Sequence, residues 1–167
     1  NIEKILSHTK KMIDEGAHII DIGAQSSRPG SEENSEKTEL SKIIPTLKEI
    51  RKFFPNILIS VDTYRSRVAE ESINNGADII NDISAGDLDE NMFNIIAKYK
   101  IPYIIMHMKG IPKNMQKNPT YNNVVDEIII YFQKKIRKLN KLNVNSLIID
   151  PGFGFGKTLS HNYEILN

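Results

Sequence analysis

The sequence predicts an α/β fold and, within that class, part of a (β/α)8 barrel carrying about five of the eight strands. Three observations point there. Helical segments and short strands alternate at even spacing along the 167 residues, the strands are apolar through their length, and each strand ends on a polar or charged side chain. Strands of that kind are covered on both sides, which means parallel strands with helices packed outside. An open doubly wound sheet needs its chemical groups mainly beside one switch point, whereas a barrel brings all its strand ends round one mouth. The strand ends here carry Asp21, Asp62, Asn81 with Asp82, His107 and Asp150, and that distribution favours the barrel.

Each element has its own justification. Residues 2–15 repeat apolar side chains at helical spacing (Ile2, Ile5, Leu6, Met12, Ile13), and Gly16 stops them. AHIIDIGA, residues 17–24, reads as the first strand and runs into a polar loop over residues 25–34. A helix over residues 35–53 lines up Leu40, Ile43, Ile44, Leu47 and Ile50, with Pro45 a candidate kink. ILISVDT, residues 57–63, is the second strand. A short helix over residues 64–75 ends at Gly76, and ADIINDIS, residues 77–84, is the third strand. Acidic residues open a helix over residues 89–99. PYIIMHM, residues 102–108, is the fourth strand, followed by a long polar loop to residue 119. A long helix over residues 121–142 leads into the fifth strand, residues 146–150, and another helix begins near Asn162.

Composition narrows the function classes. With 40% hydrophobic and 26% charged residues the chain has enough apolar content for one core. No run of about eighteen apolar residues exists to span a bilayer. The absence of cysteine removes disulfide frameworks and thiolate metal sites, and fits a reducing cytoplasm. A formal charge of +1, with lysine and glutamate interleaved, provides no general attraction for nucleic acid. The chain lacks an initiating methionine, starts on a helix and ends in one, so it reads as a piece of a longer protein whose five strands cannot close a barrel alone.

The most informative stretch is SLIIDPGFGFGKT, residues 146–158. A buried strand stops at Asp150 and passes at once into a proline and glycine loop, which is how a strand delivers one charged group to a site. Gly152, Gly154 and Gly156 let the backbone approach a ligand, and Phe153 and Phe155 offer flat apolar surface. The ending Gly156-Lys157-Thr158 resembles that of a phosphate loop, but Pro151 stands where such a loop needs glycine. The plainer alternative is a glycine-rich connection with a helix-capping aspartate.

Convergent carboxylates and an amide, with no cysteine and few histidines, point to recognition of a hydrogen-bonding heterocycle. A 2-amino-4-oxo pyrimidine ring presents adjacent N–H donors that a carboxylate pairs with as it pairs with guanidinium. Asp62 and Asp150 each suit that role, and Asn81 supplies a donor and an acceptor. The alternatives are that Asp62, or Thr63, caps the helix from Tyr64, and that Asn81 holds a turn. His107, in an apolar strand, is read first as a satisfied core histidine. In QSSRPG, residues 25–30, Arg28 lies beside the stiff Pro29 and the permissive Gly30, which suits a loop that covers an anionic substrate; alone, it reads equally well as a solvated loop.

In combination, DIGAQSSRPG, SVDT, NDIS, MHMKGIPKNMQKNPTY and DPGFGFGKT followed by HNYEIL resemble dihydropteroate synthase, of the pterin-binding barrel family, over nearly the whole chain. The resemblance implies one pterin-binding barrel domain over residues 1–167, truncated at both ends, and a transferase of folate biosynthesis. That enzyme condenses 6-hydroxymethyl-7,8-dihydropterin diphosphate with 4-aminobenzoate and releases pyrophosphate, using Mg2+. It implies pterin contacts from Asp62, Asn81, Asp150, Ile83 and Met106, and aminobenzoate contacts from Ser27, Arg28, Pro29 and Phe155, with Asp62 and Arg28 the catalytic pair. It also implies a cytoplasmic enzyme that is a homodimer at full length. The family's GGEST is replaced by Ala24, Gln25 and Ser27, which keeps a hydroxyl. The first strand, with its metal-holding Asn, and the later strands with their Lys, Arg and His are absent, so no metal ligand is expected in this chain and little or no activity from it alone. Three rivals stand beside this reading: a methyltetrahydrofolate-dependent corrinoid methyltransferase of the same barrel family, a non-catalytic barrel remnant used as a binding module, and a doubly wound phosphoacceptor domain, whose acidic cluster with a later Thr and Lys the sequence does not assemble.

Overall fold

The computed structural model describes residues 2–24, 34–111 and 114–167. Six helices and five strands alternate: α1 (Ile2–Asp14), β1 (Ile19–Gly23), α2 (Glu36–Phe53), β2 (Leu58–Asp62), α3 (Ser66–Asn74), β3 (Ile79–Asp82), α4 (Met92–Tyr99), β4 (Tyr103–Met106), α5 (Val124–Lys141), β5 (Leu147–Asp150) and α6 (Leu159–Leu166). All four strand pairings are parallel, and the order is β1-β2-β3-β4-β5. That order decides the architecture. A doubly wound sheet reverses its strand order at a switch point, whereas consecutive right-handed crossovers with no reversal put every helix on one side and curve the sheet toward a barrel. The chain is thus a five-strand portion of a (β/α)8 barrel.

Register assigns the two faces, because paired residues in neighbouring parallel strands point the same way and side chains alternate along each strand. Ile20, Ile59, Val61, Ile80, Tyr103 and Ile105 lie on the helix-covered face and are buried, and all but Ile20 join one core with Ile43, Leu47 and Ile50 of α2, Val68 and Ala69 of α3, Met92 and Ile96 of α4 and Leu139 of α5. Removing each such side chain from water contributes roughly 1.5–3 kcal/mol. The opposite face departs from the expectation of strands covered on both sides. Ile19, Leu58 and Ile148 are 42%, 46% and 45% exposed, because five strands leave the inner face without a facing wall and leave β1 and β5 with one neighbour each.

Helix starts differ from expectation where capping decided them. Ser35 and Asn123 accept from the backbone N–H of Thr38 and Asp126, so α2 and α5 begin just after them. Thr158 and His161 form a reciprocal capping box that starts α6 at Leu159, ahead of Asn162. Asp89 serves both α3 and the start of α4, since its Oδ2 accepts from Ser66 N at 2.7 Å and its Oδ1 from Asn91 N at 3.0 Å. α2 runs unbroken through Pro45.

Candidate functional site

The C-terminal strand ends place Asp21, Asp62, Asn81 and Asp150 on one face, while Asp82, also expected there, turns to the helix-covered side. Asp62 pairs in register with Asn81 and Asn81 with Ile104, while Met106, two residues along β4, pairs with Asp150. Asp62, Asn81, Met106 and Asp150 therefore all project from the inner face at the same end of the sheet. Asp21 shares that face and accepts from Asn81 Nδ2 at 3.4 Å. Asn81 does hold its neighbour as well, since its carbonyl accepts from Thr63 N at 2.9 Å, but its side chain faces the mouth. Ile83 is buried just past β3, and Met106 is 3% exposed.

Asp62 does not cap a helix. Thr63 Oγ1 accepts from Arg65 N at 3.2 Å and donates to Glu39 Oε1 at 2.6 Å, and α3 begins only at Ser66, whose N–H is taken by Asp89. The Asp62 carboxylate is left half-buried, with no hydrogen-bond donor among the described residues. Burial first, then the carboxylates of Asp21, Asp82 and Glu39, push its pKa up to about 7. Gly23 makes this packing possible. It pairs with Asp62, and a Cβ in its place would sit 3.2 Å from Asp62 Cβ.

The neighbouring acids are satisfied and serve the frame. Asp82 is fully buried on the helix side and accepts from Ser84 N and Oγ, Gly86 N and Tyr103 Oη, the last at 2.6 Å. Burial still raises its pKa, with those donors opposing. Glu39 is buried on α2 between Thr63 and Arg65, and Arg65 donates onward to Asn34 O at 2.8 Å. This network holds the end of β2 just behind Asp62.

Asp150 is fixed differently. Its Oδ1 accepts from Gly152 N at 2.8 Å, which orients the carboxylate at the strand's end. Gly152 has φ +71°, and a Cβ there would fall 2.1 Å from His107 O, so only glycine allows the loop to lie this tightly on the end of β4. Gly156 does the same against Lys109 O, at 2.4 Å. The ammonium of Lys157 is buried beneath the turn, within 3.0 Å of His107 Nδ1 and 2.9 Å of Gly152 O. Burial, then the charges of Lys157 and Lys109, lower the His107 pKa to about 4, so its ring is neutral and the reading of a satisfied interior histidine holds. Burial lowers Lys157 to about 8. Phe155 is half-buried beside this turn and Phe153 is exposed.

Comparison with known proteins matches this arrangement to a single group. The sequence profile described as "Pterin binding enzyme" matches residues 1–167. The chain belongs to the pterin-binding enzyme family. Among curated members, the dihydropteroate synthase of Haemophilus influenzae is 41% identical over 168 residues, covering 99% of this chain and 60% of that protein, and that of Escherichia coli is 42% identical, covering 96% and 57%. A solved dihydropteroate synthase of Yersinia pestis in a sulfonamide drug complex superimposes with a TM-score of 0.95 at 40% identity, covering 99% of this chain and 60% of that one. One from Xanthomonas albilineans with 4-aminobenzoic acid gives 0.90 at 30% identity, covering 99% and 58%. This member of the pterin-binding enzyme family thus spans about 60% or less of the length of these relatives.

Ser27, Arg28 and Pro29 lie outside the described residues. Sequence reasoning missed three residues of the site's frame: Lys157, which was weighed only as the end of a phosphate loop, and Glu39 and Gly23. A lysine directly after a glycine-rich turn with no acid nearby in sequence was the available clue for the first. A cavity of about 750 Å3 between α1, β1 and the middle of α2, lined by Ile5, Met12, Ile20 and Ile43, touches Asp21 but none of Asp62, Asn81 or Asp150. Its walls come from α1, α2 and the flank of β1, with Lys4, His8 and Lys42 among the lining side chains.

Proposed function

We propose that this chain carries the pterin-binding part of a dihydropteroate synthase, joining 6-hydroxymethyl-7,8-dihydropterin diphosphate to 4-aminobenzoate with release of pyrophosphate. The observation that carries the reading is Asp62, a half-buried carboxylate without a donor among the described residues that faces the same mouth as Asn81 and Asp150. Leaving a carboxylate unpaired in that position costs stability, and a ligand with N–H donors or developing positive charge offsets the cost. Asp150 pairs with adjacent ring N–H groups, Asn81 donates and accepts at the ring edge, and Met106 and Ile83 supply apolar walls.

As the exocyclic carbon parts from its diphosphate, positive charge spreads into the pterin ring. Asp62 stabilises that charge more in the transition state than before it, which is the requirement for acceleration. The aromatic amine of 4-aminobenzoate attacks the carbon and loses a proton. Ser27, Arg28, Pro29 and Phe155 are assigned to the aminobenzoate side on the strength of the family resemblance, and Arg28 to anion stabilisation. Magnesium belongs with the departing diphosphate. Among the described residues no three His, Cys, Asp or Glu side chains gather as a metal group, and none of the steps assigned to this chain's residues passes through the ion. Balanced charge and the lack of cysteine support a cytoplasmic setting, and the homodimer of the full-length enzyme rests on resemblance alone. No helix of the described residues is long and apolar enough to cross a membrane.

Calorimetry with 6-hydroxymethylpterin tests the site. We expect weak but measurable binding by the wild-type chain and at least a tenfold loss in Asp150→Asn, which still accepts from Gly152 N but offers the ring no anion. Equal affinity of the two would remove Asp150 from the pocket. With both substrates present, pyrophosphate release by this chain is expected to be slight, since its inner face stands open on one side.

A further inference from the structure

We propose that Lys157 is a positioning residue for Asp150 and Phe155, acting through three main-chain carbonyls and the neutral ring of His107. The proposal rests on the assignment of Asp150 to the pterin ring given above. Lys157 is 3% exposed, and its Nζ lies 2.9 Å from Gly152 O, 3.0 Å from Phe155 O, 3.1 Å from His107 O and 3.0 Å from His107 Nδ1. An ammonium has three protons, so four acceptors saturate it and one proton is shared. Among the described residues no carboxylate touches it; the charge is balanced by peptide dipoles and, at longer range, by Asp150. A buried cation is costly to retain for packing alone. An apolar side chain of the same length would fill the space, but it would leave the inward-turned carbonyls without donors.

The connections from this ammonium run directly to the groups that face the ligand. Gly152, whose carbonyl it holds, donates its own N–H to Asp150 Oδ1. Phe155, whose carbonyl it also holds, donates its N–H to Gly152 O at 3.1 Å. His107, gripped at both ring and carbonyl, donates its N–H to Asp150 O at 3.1 Å. Lys157 therefore sits at the centre of a closed turn whose rim carries the carboxylate on one side and the aromatic ring on the other. Its place in the sequence, directly after Gly156, is what lets the side chain fold back under its own loop.

The test uses Lys157→Met, Lys157→Arg, Asp150→Asn and the double variant in the same chain. Without ligand, amide hydrogen exchange at Gly152 and Phe155 is expected to quicken at least tenfold in Lys157→Met, while Val61 and Ile80 in the core strands stay within twofold. With 6-hydroxymethylpterin, Lys157→Met is expected to lose at least tenfold in affinity. Adding Asp150→Asn to that background is expected to cost less than a further twofold, because the two residues act as one unit. Additive losses, or unchanged exchange at Gly152, would overturn the proposal. Lys157→Arg keeps the charge while its larger head displaces the carbonyls, so it shows the same pattern at smaller amplitude and decides the matter should Lys157→Met fail to fold. If the wild-type chain binds no pterin at all, the assignment of the site fails, and the exchange measurements alone still decide whether Lys157 holds the turn beneath Asp150.

Discussion

At the scale of single residues, the property that sets Asp62 apart is an electrostatic cost that the fold leaves in place. Its folded pKa of about 7 lies above the ordinary 3.8, so between those values the unfolded chain has already given up a proton that the folded chain keeps. Stability falls as pH rises through that window and levels off above about 7. Asp62→Asn removes the effect. We expect it to be more stable than wild type at pH 8 by about 2 kcal/mol, less than the full shift because the open face lets water screen the charge, and to show a flatter pH profile in urea titrations between pH 4 and 7. The same variant should bind pterin at least tenfold more weakly. Wild-type affinity should fall toward tenfold per pH unit as pH drops below about 7, since the ring pairs with the ionised form. A stability gain coupled to a loss of binding would mark Asp62 as a functional group. The sequence showed this residue as a carboxylate at a strand end but left open whether it capped a helix. The answer depended on Thr63 and Asp89 taking the capping work, a three-dimensional arrangement that no local pattern encodes.

At the scale of elements, the two sides of the mouth are held in contrasting ways. The β2 side rests on a buried ion pair, Glu39 of α2 with Arg65, which also reaches Asn34 O. Glu39→Gln keeps an acceptor for Thr63 but removes the buried negative charge that faces the Arg65 guanidinium. We expect a loss of about 2 kcal/mol, read as a melting temperature lower by roughly 4–8 °C, and a smaller change would place the pair's weight elsewhere. The β5 side is an interlock of two loops: Tyr121 Oη donates to Gly156 O at 2.8 Å, Gln116 reaches Gly154 O, and the glycines at 152 and 156 lie against the backbone of residues 107 and 109. Strand and helix positions were legible in the sequence because their periodicities are strong. The partners of Glu39 and Lys157 were not, because those contacts span 24 and 50 residues and follow from strand order.

For the whole molecule, the uninterrupted strand order distinguished a portion of a barrel from a doubly wound sheet, as the spread of polar strand ends had suggested. The expectation that failed, burial of both sheet faces, failed for a reason visible only at this scale: five strands leave the inner face without a facing wall, and among the described residues β1 and β5 have no outer neighbour. Ile149, on edge strand β5, is 49% exposed. Unpaired apolar edges template further pairing, so light scattering should show concentration-dependent association, and Ile149→Lys should reduce it at little cost to the melting temperature. Unaltered association would point to contacts away from that edge.

Because every strand lies beside its immediate predecessor in the chain, no segment has to wait for a distant one before it can dock. Each new helix and strand leaving the ribosome meets a template already laid down, and the sheet can grow in the direction of synthesis. The aspartate of the second strand is thus in place well before that of the fifth, and the cleft takes shape only as the last glycine-rich turn folds back over its lysine.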